Sequence, residues 1–584
     1  MAFRWIAVTL LTFVTFSRCQ DIPTLYYPSR PDIKAPLLHV MQYDAERVAP
    51  GYIFLTPNTP GHTNYSAGPH IYNHQGQLIW SGEHKLDPGF QAFNPQVVRL
   101  NDSDHFVFTE FRGHRGGGPS DMDSHSTIYN SSYDQVLRVS TNGTWRGYRL
   151  TEDLHEFHVV DGGKSALITS YVTFPENITY DRCQGAQTIF TKTGVFSEVL
   201  LDGSNDQIFQ FSLSDHFDPR DSYVCPGDRL CGTGKDDVGA FDAFHINSID
   251  KDVYGDYLVS LRHFHMIIKV AGMGSPSGMA PGEVIWRLGG RQNEFVMDSE
   301  VEGIPYLNFS FQHHARWYPE GEGFTFWDNA NNEINPPSST YSSGKTVRIN
   351  EIDRIATLTQ MYPSPYRLLD SSQGSMQTLP NGNRLLGMGS QPYLYESLAD
   401  GTPVFHAHFG FLPHQSYRTY KFEWSATPPE SQMGLFSYAK YCNASMVMYA
   451  SWNGATDVAG WKYYTSPEQE GQFTLVAEKD YDNNFETVAV GSFNLWTYAE
   501  AYNAAGALLG RSKTVSTFVP ITDLAENCSA LICPHGTIYS HGNSTDCPAP
   551  PPREDLEPSN RLNKFMSEDF KLLEQERPKG YTKS

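Results

Sequence analysis

Short apolar segments rich in aromatic and β-branched residues recur along most of the chain, each leading through a turn to a second apolar segment. Runs of this composition bounded by turns read as β-strands. Six such units open at GYIFLTPN (from Gly51), HFVFTEFR (His105), SALITSYV (Ser165), DYLVSLRHFHMIIKV (Asp256), GFTFWDNAN (Gly323) and RLLGMGSQPYLYESLADGTPVFHAHF (Arg384). Their starts lie roughly 50 to 90 residues apart, a spacing that fits four-stranded sheets repeated around an axis. Hardly any segment sustains a helical period. The expected fold is all-β, with a six-bladed β-propeller over residues 20–415.

Around Pro413 the pattern changes. SWNGATDVAGWKYY (451–464) and YAEAYNAAGALLGRS (498–512) resemble two strands of a fibronectin type III domain, so a β-sandwich of that type is expected over 421–520. Residues 521–584 read as a Cys-containing segment followed by a disordered tail, whose PAPPPREDLEPSNR run cannot supply a core.

Five segments repeat a polar residue, a short apolar stretch, a turn and a strand: FNPQVVRLNDSD (93–104), LHEFHVVDGG (154–163), FHINSIDKDVYG (244–255), FQHHARWYPEGEG (311–323) and QGSMQTLPNGN (373–383). Equivalent positions of a radial repeat face one axis, so His155, His245 and His313 are expected to converge and to act as acid/base or polarising groups. The plainer role for each is a turn-holding bond to a nearby carbonyl. Arg262 and Arg316 are candidate anion donors, or paired surface charges. No metal and no cofactor is expected. None of the three histidines has a ligand spacing, and His70 and His74, which do, lie outside any helical pattern. The run Arg112 to Gly118 lacks the Lys-Ser/Thr of a phosphate loop and reads as a loop over one face. No G-x-S-x-G elbow supports a hydrolase.

Charge and processing signals narrow the setting. The 584 residues carry 43 Lys and Arg against 65 Asp and Glu, a formal charge of −22, which disfavours nucleic acid and anionic membranes as partners. Arg4, the apolar stretch Trp5 to Phe16, and small residues before Gln20 read as a signal peptide over 1–19, so the chain is expected to be secreted, without membrane insertion. Nine sequons fit export: Asn64, Asn101, Asn130, Asn142, Asn177, Asn308, Asn443, Asn527 and Asn543. In an oxidising compartment the close pairs Cys225/Cys231 and Cys528/Cys533 invite disulfides, the remaining thiol being free or joined to Cys183, Cys442 or Cys547.

Several of these motifs, in this order, resemble the arylsulfotransferase-like (ASST) family, in particular its fungal secreted branch. FDAFHINSID (241–250) with LVSLRH (258–263), GEVIWRLGG (282–290), QHHA (312–315) and FWDN (326–329) are similar to the family's successive segments. DLHEF (153–157) and GSMQTLPNGN (374–383) look like signatures of the fungal branch, and the likeness spans about residues 30 to 410. The resemblance implies a six-bladed propeller enzyme. Bacterial relatives move a sulfuryl group between aryl sulfates and phenols, without a nucleotide sulfate (PAPS), through a sulfated histidine. It further implies His155, His245 and His313 as catalytic groups, Asn247, Arg262 and Gln312 as substrate-binding groups, and a phenolic or other aromatic small molecule as substrate. The sulfated histidine of those relatives corresponds here to Gln373 to Met376, where Ser375 is the sole comparable nucleophile, and His406 and His408 are the late histidines. Two other functions are compatible with the same residues: a cyclisation, dehydration or hydrolysis in secondary-metabolite synthesis with the histidines as proton shuttles, and a non-enzymatic extracellular binding protein.

Overall fold

The computed structural model describes residues 23–58, 68–112, 123–318, 323–442 and 444–533. The expected signal peptide, the sequons at Asn64, Asn443 and Asn543, Cys547, the glycine-rich run from Gly113 and the tail beyond 533 lie outside the described residues. The fold is all-β. The one α-helix among the described residues is Thr522–Ala525, and no helix there is long and apolar enough to cross a membrane.

Six sheets follow one another along the chain. The first holds Tyr52–Leu55, His70–Tyr72 and Leu78–Ser81, completed from far downstream by Thr419–Phe422. The second runs from Gln91–Leu100 to Gln135–Val139 and the third from Phe157–Val160 to Gln207–Ser212. The fourth runs from Ile246–Lys251 to Val284–Gly289 and the fifth from His313–Trp317 to Ile355–Pro363, with Val296–Ser299 parallel at its edge. The sixth runs from Ser375–Thr378 to Pro403–His408 and takes the early strand His39–Tyr43 on its outer edge. The distant strands Thr419–Phe422 and His39–Tyr43 cover edges of the first and last sheets that would otherwise stand open.

Each sheet shares an apolar cluster with the next. Phe54 and Trp80 of the first sheet pack with Phe106 and Phe108 of the second. Trp286 and Leu288 of the fourth pack with Phe324 and Phe326 of the fifth. The series closes where Leu394 and Phe405 of the sixth meet Ile53 and Leu55 of the first. Burying each such side chain contributes about 1.5–3 kcal/mol, so the shared clusters hold the sheets face to face.

At the centre the innermost strands stand too far apart to form ladders, and polar side chains bridge them instead. Asn94 Nδ2 donates to the Leu154 carbonyl (2.8 Å) and Gln96 Nε2 to that of Phe157 (2.7 Å). The Ile249 amide donates to Glu156 Oε2 (3.1 Å), Asn247 Nδ2 to the Gln312 carbonyl (2.7 Å), and the Ala315 amide to Ser248 Oγ (2.9 Å). Gln377 exchanges two bonds with the backbone of Lys421, at 2.8 and 2.9 Å. Unpaired strand-edge amides and carbonyls buried at the hub are thereby satisfied, and this is why the repeated motif is polar.

Two further sheets follow. One holds Met433–Tyr438, Met446–Trp452 and Glu486–Gly491, the other Gly460–Ser466 between Thr474–Asp480 and Trp496–Tyr502, around a core including Met448, Trp452, Trp461 and Tyr463. Asn453 fastens them to the first sheet, its Oδ1 accepting from the Ser81 amide (2.9 Å) and its Nδ2 donating to the Ser81 carbonyl (3.0 Å). Thr419–Phe422, four residues past the expected boundary at 415, pairs with Tyr52–Leu55 of the first sheet.

The cysteine pairing also differs from expectation. Cys225 is bonded to Cys183, with Cα atoms 5.6 Å apart, and not to Cys231. Turns within 225–232 fold Cys231 into the apolar cluster around Phe241, where it remains a buried free thiol. Cys528 is bonded to Cys533, and Cys442 is disulfide-bonded as well. Asn101, Asn142, Asn177, Asn308 and Asn527 are exposed, whereas Asn130 is half-buried.

Candidate functional site

The entries to the inner strands gather the site. His155 lies two residues before Phe157–Val160, His245 immediately before Ile246–Lys251, and Tyr417 two residues before Thr419–Phe422. The His155 and His245 rings meet edge to face with centroids 4.9 Å apart, and His155 lies 5.6 Å from Tyr417. Tyr171 packs beside both imidazoles, at 5.4 and 6.1 Å. Their side chains remain partly open, 14% exposed for His155 and 21% for His245.

Each of these two imidazoles is held by an aspartate close before it. Asp242 Oδ2 takes His245 Nδ1 at 2.6 Å while its other oxygen accepts the His245 amide at 3.1 Å, and Asp153 Oδ1 alone takes both Nδ1 and the amide of His155. A carboxylate on Nδ1 fixes the tautomer with its proton there, so Nε2 carries the lone pair. Burial, then the charges of His155, Arg262 and Lys192, hold the His245 imidazole well below its ordinary range. It is therefore a neutral base at pH 7. His245 also occupies the left-handed region (φ 55°), uncommon for a residue with a Cβ.

Arg262 supplies the cation. It lies in a short 3-10 turn, Arg262–Phe264, against the Phe311 ring. Nη1 donates to His263 Nε2 (2.7 Å) and Nη2 to the Ser371 carbonyl (2.9 Å), while Nε is buried without a partner. No carboxylate pairs with this guanidinium among the described residues. A buried charge lacking a counterion is costly unless an anion visits it.

The other expected residues stand differently. His313 lies 6.5 Å from Tyr417, but both its nitrogens are engaged, Nδ1 with Asn329 Oδ1 (2.6 Å) and Nε2 with the Gln373 amide (3.2 Å). It forms a wall of the site. Asn247 and Gln312 are fully buried. Their amide donors are consumed within the hub, that of Gln312 by Ser260 Oγ and the carbonyls of Leu261 and Met266, so neither offers a donor to the opening. Ser375 is tied to both the amide and the carbonyl of Thr419. His406 and His408 lie on Pro403–His408 against Tyr393, away from the cluster. Arg316 is not a surface pair: its terminal nitrogens are spent within the hub, Nη2 on buried Glu156 (2.8 Å) and Nη1 on the carbonyls of Ala315 (3.0 Å) and Ile249 (3.4 Å).

Asp242, His245 and His263 place ligand atoms within 4.8 Å of one another. His263 is already saturated, however, with Nδ1 on the Asp242 carbonyl (2.7 Å) and Nε2 taking the Arg262 donor. A guanidinium at that point opposes a metal cation. Tyr171, Tyr417, Asp153 and Asp242 were missed as site residues. The aspartates had a visible signal, an acid two or three residues ahead of the histidine at the same strand entry.

The buried neutral imidazoles set a pH dependence. Burial chiefly, with neighbouring charges, depresses His245, His263 and His313 well below their ordinary range. In the unfolded chain these groups take up protons near pH 6.5, whereas in the folded protein they do not. The unfolded state thus binds more protons below that pH, and stability is lost as pH falls through it. Thermal melts at constant ionic strength are expected to show Tm falling from pH 7.5 to 5. A flat profile would contradict neutral buried imidazoles.

A family model described as Arylsulfotransferase (ASST) matches residues 118–410. Similar solved structures include a protein of unknown function from Bacteroides caccae (TM-score 0.35, 10% identity, 63% of this chain and 98% of that one). Another is the periplasmic gluconolactonase of Pseudomonas aeruginosa (TM-score 0.33, 11% identity, 76% of this chain and 99% of that one). No curated protein matches the chain.

Proposed function

The chain belongs to the arylsulfotransferase (ASST) family, and from that premise we propose that it is a secreted enzyme transferring a sulfuryl group from an aryl sulfate to a phenolic acceptor, without a nucleotide sulfate donor. The six sheets are taken as the blades of a propeller, and the two sheets from Met433 to Arg511 as a fibronectin type III-like sandwich beside it. Disulfides and exposed sequons support passage through the secretory pathway.

The observation that carries the reading is a buried guanidinium that pairs with no carboxylate among the described residues, in the same cluster as two imidazoles whose Nε2 atoms bond to none of those residues. Arg262 neutralises charge on the sulfuryl oxygens. His245 Nε2 accepts the acceptor phenol's proton as its oxygen forms the new bond to sulfur. The bond from sulfur to the donor's aryl oxygen breaks, and the proton returns through His155 to the departing phenolate. Tyr171 and Tyr417 give the opening aromatic walls for a phenol ring. The test is release of a coloured phenol from 4-nitrophenyl sulfate with a second phenol present. Turnover by the wild type is expected, and its absence across a panel of aryl sulfates and phenols would overturn the reading.

One observation favours a second reading. The sixth inner-strand entry offers Gln373 and a fully bonded Ser375 in place of a histidine nucleophile. A proton-shuttle reaction on an aromatic metabolite, such as cyclisation, dehydration or hydrolysis, would use the same two imidazoles with no sulfuryl group. It is distinguished by metabolites that change when the gene is deleted although no aryl sulfate is consumed.

A further inference from the structure

The inner strands that carry His155 and His245 at one end open at their other end into a separate cavity of about 480 Å³. The residues around it lie a few positions further along the same strands: His158 after His155, Asp250 after His245, Arg316 after His313, and Tyr420 and Phe422 after Tyr417. Three residues of strand span about 10 Å, and a buried ion cluster closes the space between. In that cluster Arg418 Nη1 bonds Glu156 Oε1 (2.7 Å) and Arg316 Nη2 bonds Glu156 Oε2 (2.8 Å). The two openings are thus separate compartments.

This second compartment repeats the chemistry of the first with other residues. His158 Nε2 is held by Asp250 Oδ1 at 3.1 Å, and Asp250 is itself fixed by the amides of Lys251 (2.8 Å) and Trp317 (2.8 Å). A carboxylate on Nε2 fixes the proton there and leaves Nδ1 as an acceptor. Arg316 spends its terminal nitrogens on Glu156 and on the carbonyls of Ile249 and Ala315, which leaves Nε unbonded. The lining therefore includes an acceptor, a donor and the aromatic side chains of Trp317, Tyr420 and Phe422. A phenolic hydroxyl satisfies both polar groups at once, donating to His158 Nδ1 and accepting from Arg316 Nε, while its ring meets the aromatic side chains. The volume is within the range of small-molecule sites.

We propose that this cavity is a second small-molecule site, specific for a hydroxylated aromatic compound and independent of the His155 and His245 opening. The probe is 4-methylumbelliferone, a fluorescent phenol that accepts energy from Trp317, titrated against the full glycosylated chain. Two equivalents are expected to bind. Thr378→Trp, which fills the cavity, and His158→Leu, which removes its polar end, are each expected to weaken one equivalent about tenfold or more and to leave turnover of aryl sulfate unchanged. His245→Asn is expected to leave that equivalent intact. A single equivalent in the wild type, or two undiminished equivalents in either cavity variant with wild-type circular dichroism, overturns the proposal. Its failure is separate from failure of the sulfuryl-transfer reading, which is judged on turnover alone.

Discussion

His245→Asn is expected to lower turnover of aryl sulfate by about 10²–10⁴-fold, with little change in KM. Asparagine is the substitution of choice because it tolerates the left-handed backbone at this position (φ 55°), so the loss is chemical and not a failure to fold. The size of the effect follows from the role. Asp242 takes Nδ1 of the ring at 2.6 Å, which leaves Nε2 as the group that accepts a proton while the sulfuryl group moves. Asp242→Asn separates orientation from charge. An amide in that place donates to Nδ1 and drives the ring proton onto Nε2, where it blocks the base, so this variant should approach His245→Asn in rate although the imidazole remains. The wild-type base is neutral well below pH 6.5, since burial and then the charges of His155, Arg262 and Lys192 depress it. The acid limb of kcat/KM is accordingly expected below that pH. Full turnover in both variants would remove His245 and Asp242 from the reaction.

What could be read in advance was the periodic part. The aromatic and β-branched runs HFVFTEFR and GFTFWDNAN map onto the strands Ser103–Arg112 and Gly323–Asp328, the second buried along its whole length, because short apolar runs of this composition bounded by turns mark strands in any one sequence. The pairing of His155 with His245 followed from repeat register. The remainder depended on long-range partners, which leave no local trace. Thr419–Phe422 looks like the start of a second unit but pairs with Tyr52–Leu55, some 360 residues upstream, and this carries Tyr417 into the site. Cys225 and Cys231 are close in sequence, yet intervening turns point them to different neighbours. Asn247 and Gln312 matched the motif as well as His245 did. A polar residue at the hub can serve a substrate or an unpaired backbone edge, and the sequence is the same in either case.

Arg418→Met is the substitution expected to cost the most stability, about 3–5 kcal/mol. Arg418 is 1% exposed at the hub and bonds both oxygens of Glu156, together with the carbonyls of His155 (2.8 Å) and Asn247 (2.8 Å). Methionine fills much of the volume but leaves two carbonyls unsatisfied and Glu156 facing Arg316 alone. Charge is the larger part of that cost. Burial pushes the Glu156 carboxyl upward, but the charges of Arg316 and Arg418 outweigh it and hold the group below the ordinary carboxylate range. A depressed carboxyl contributes stability that is present above its unfolded value, near 4.3, and is lost as pH falls through the folded value. Without Arg418 the carboxyl rises, so the stability gap between wild type and variant should be widest at pH 6 to 8 and narrow towards pH 3. Denaturant unfolding at both ends of that range checks it. Pairing the change with Glu156→Gln removes the stranded charge, so the double variant should lose clearly less than the sum of the two single changes. Additive losses would mean that the ion cluster is a bystander and that packing alone holds the two openings of the hub apart.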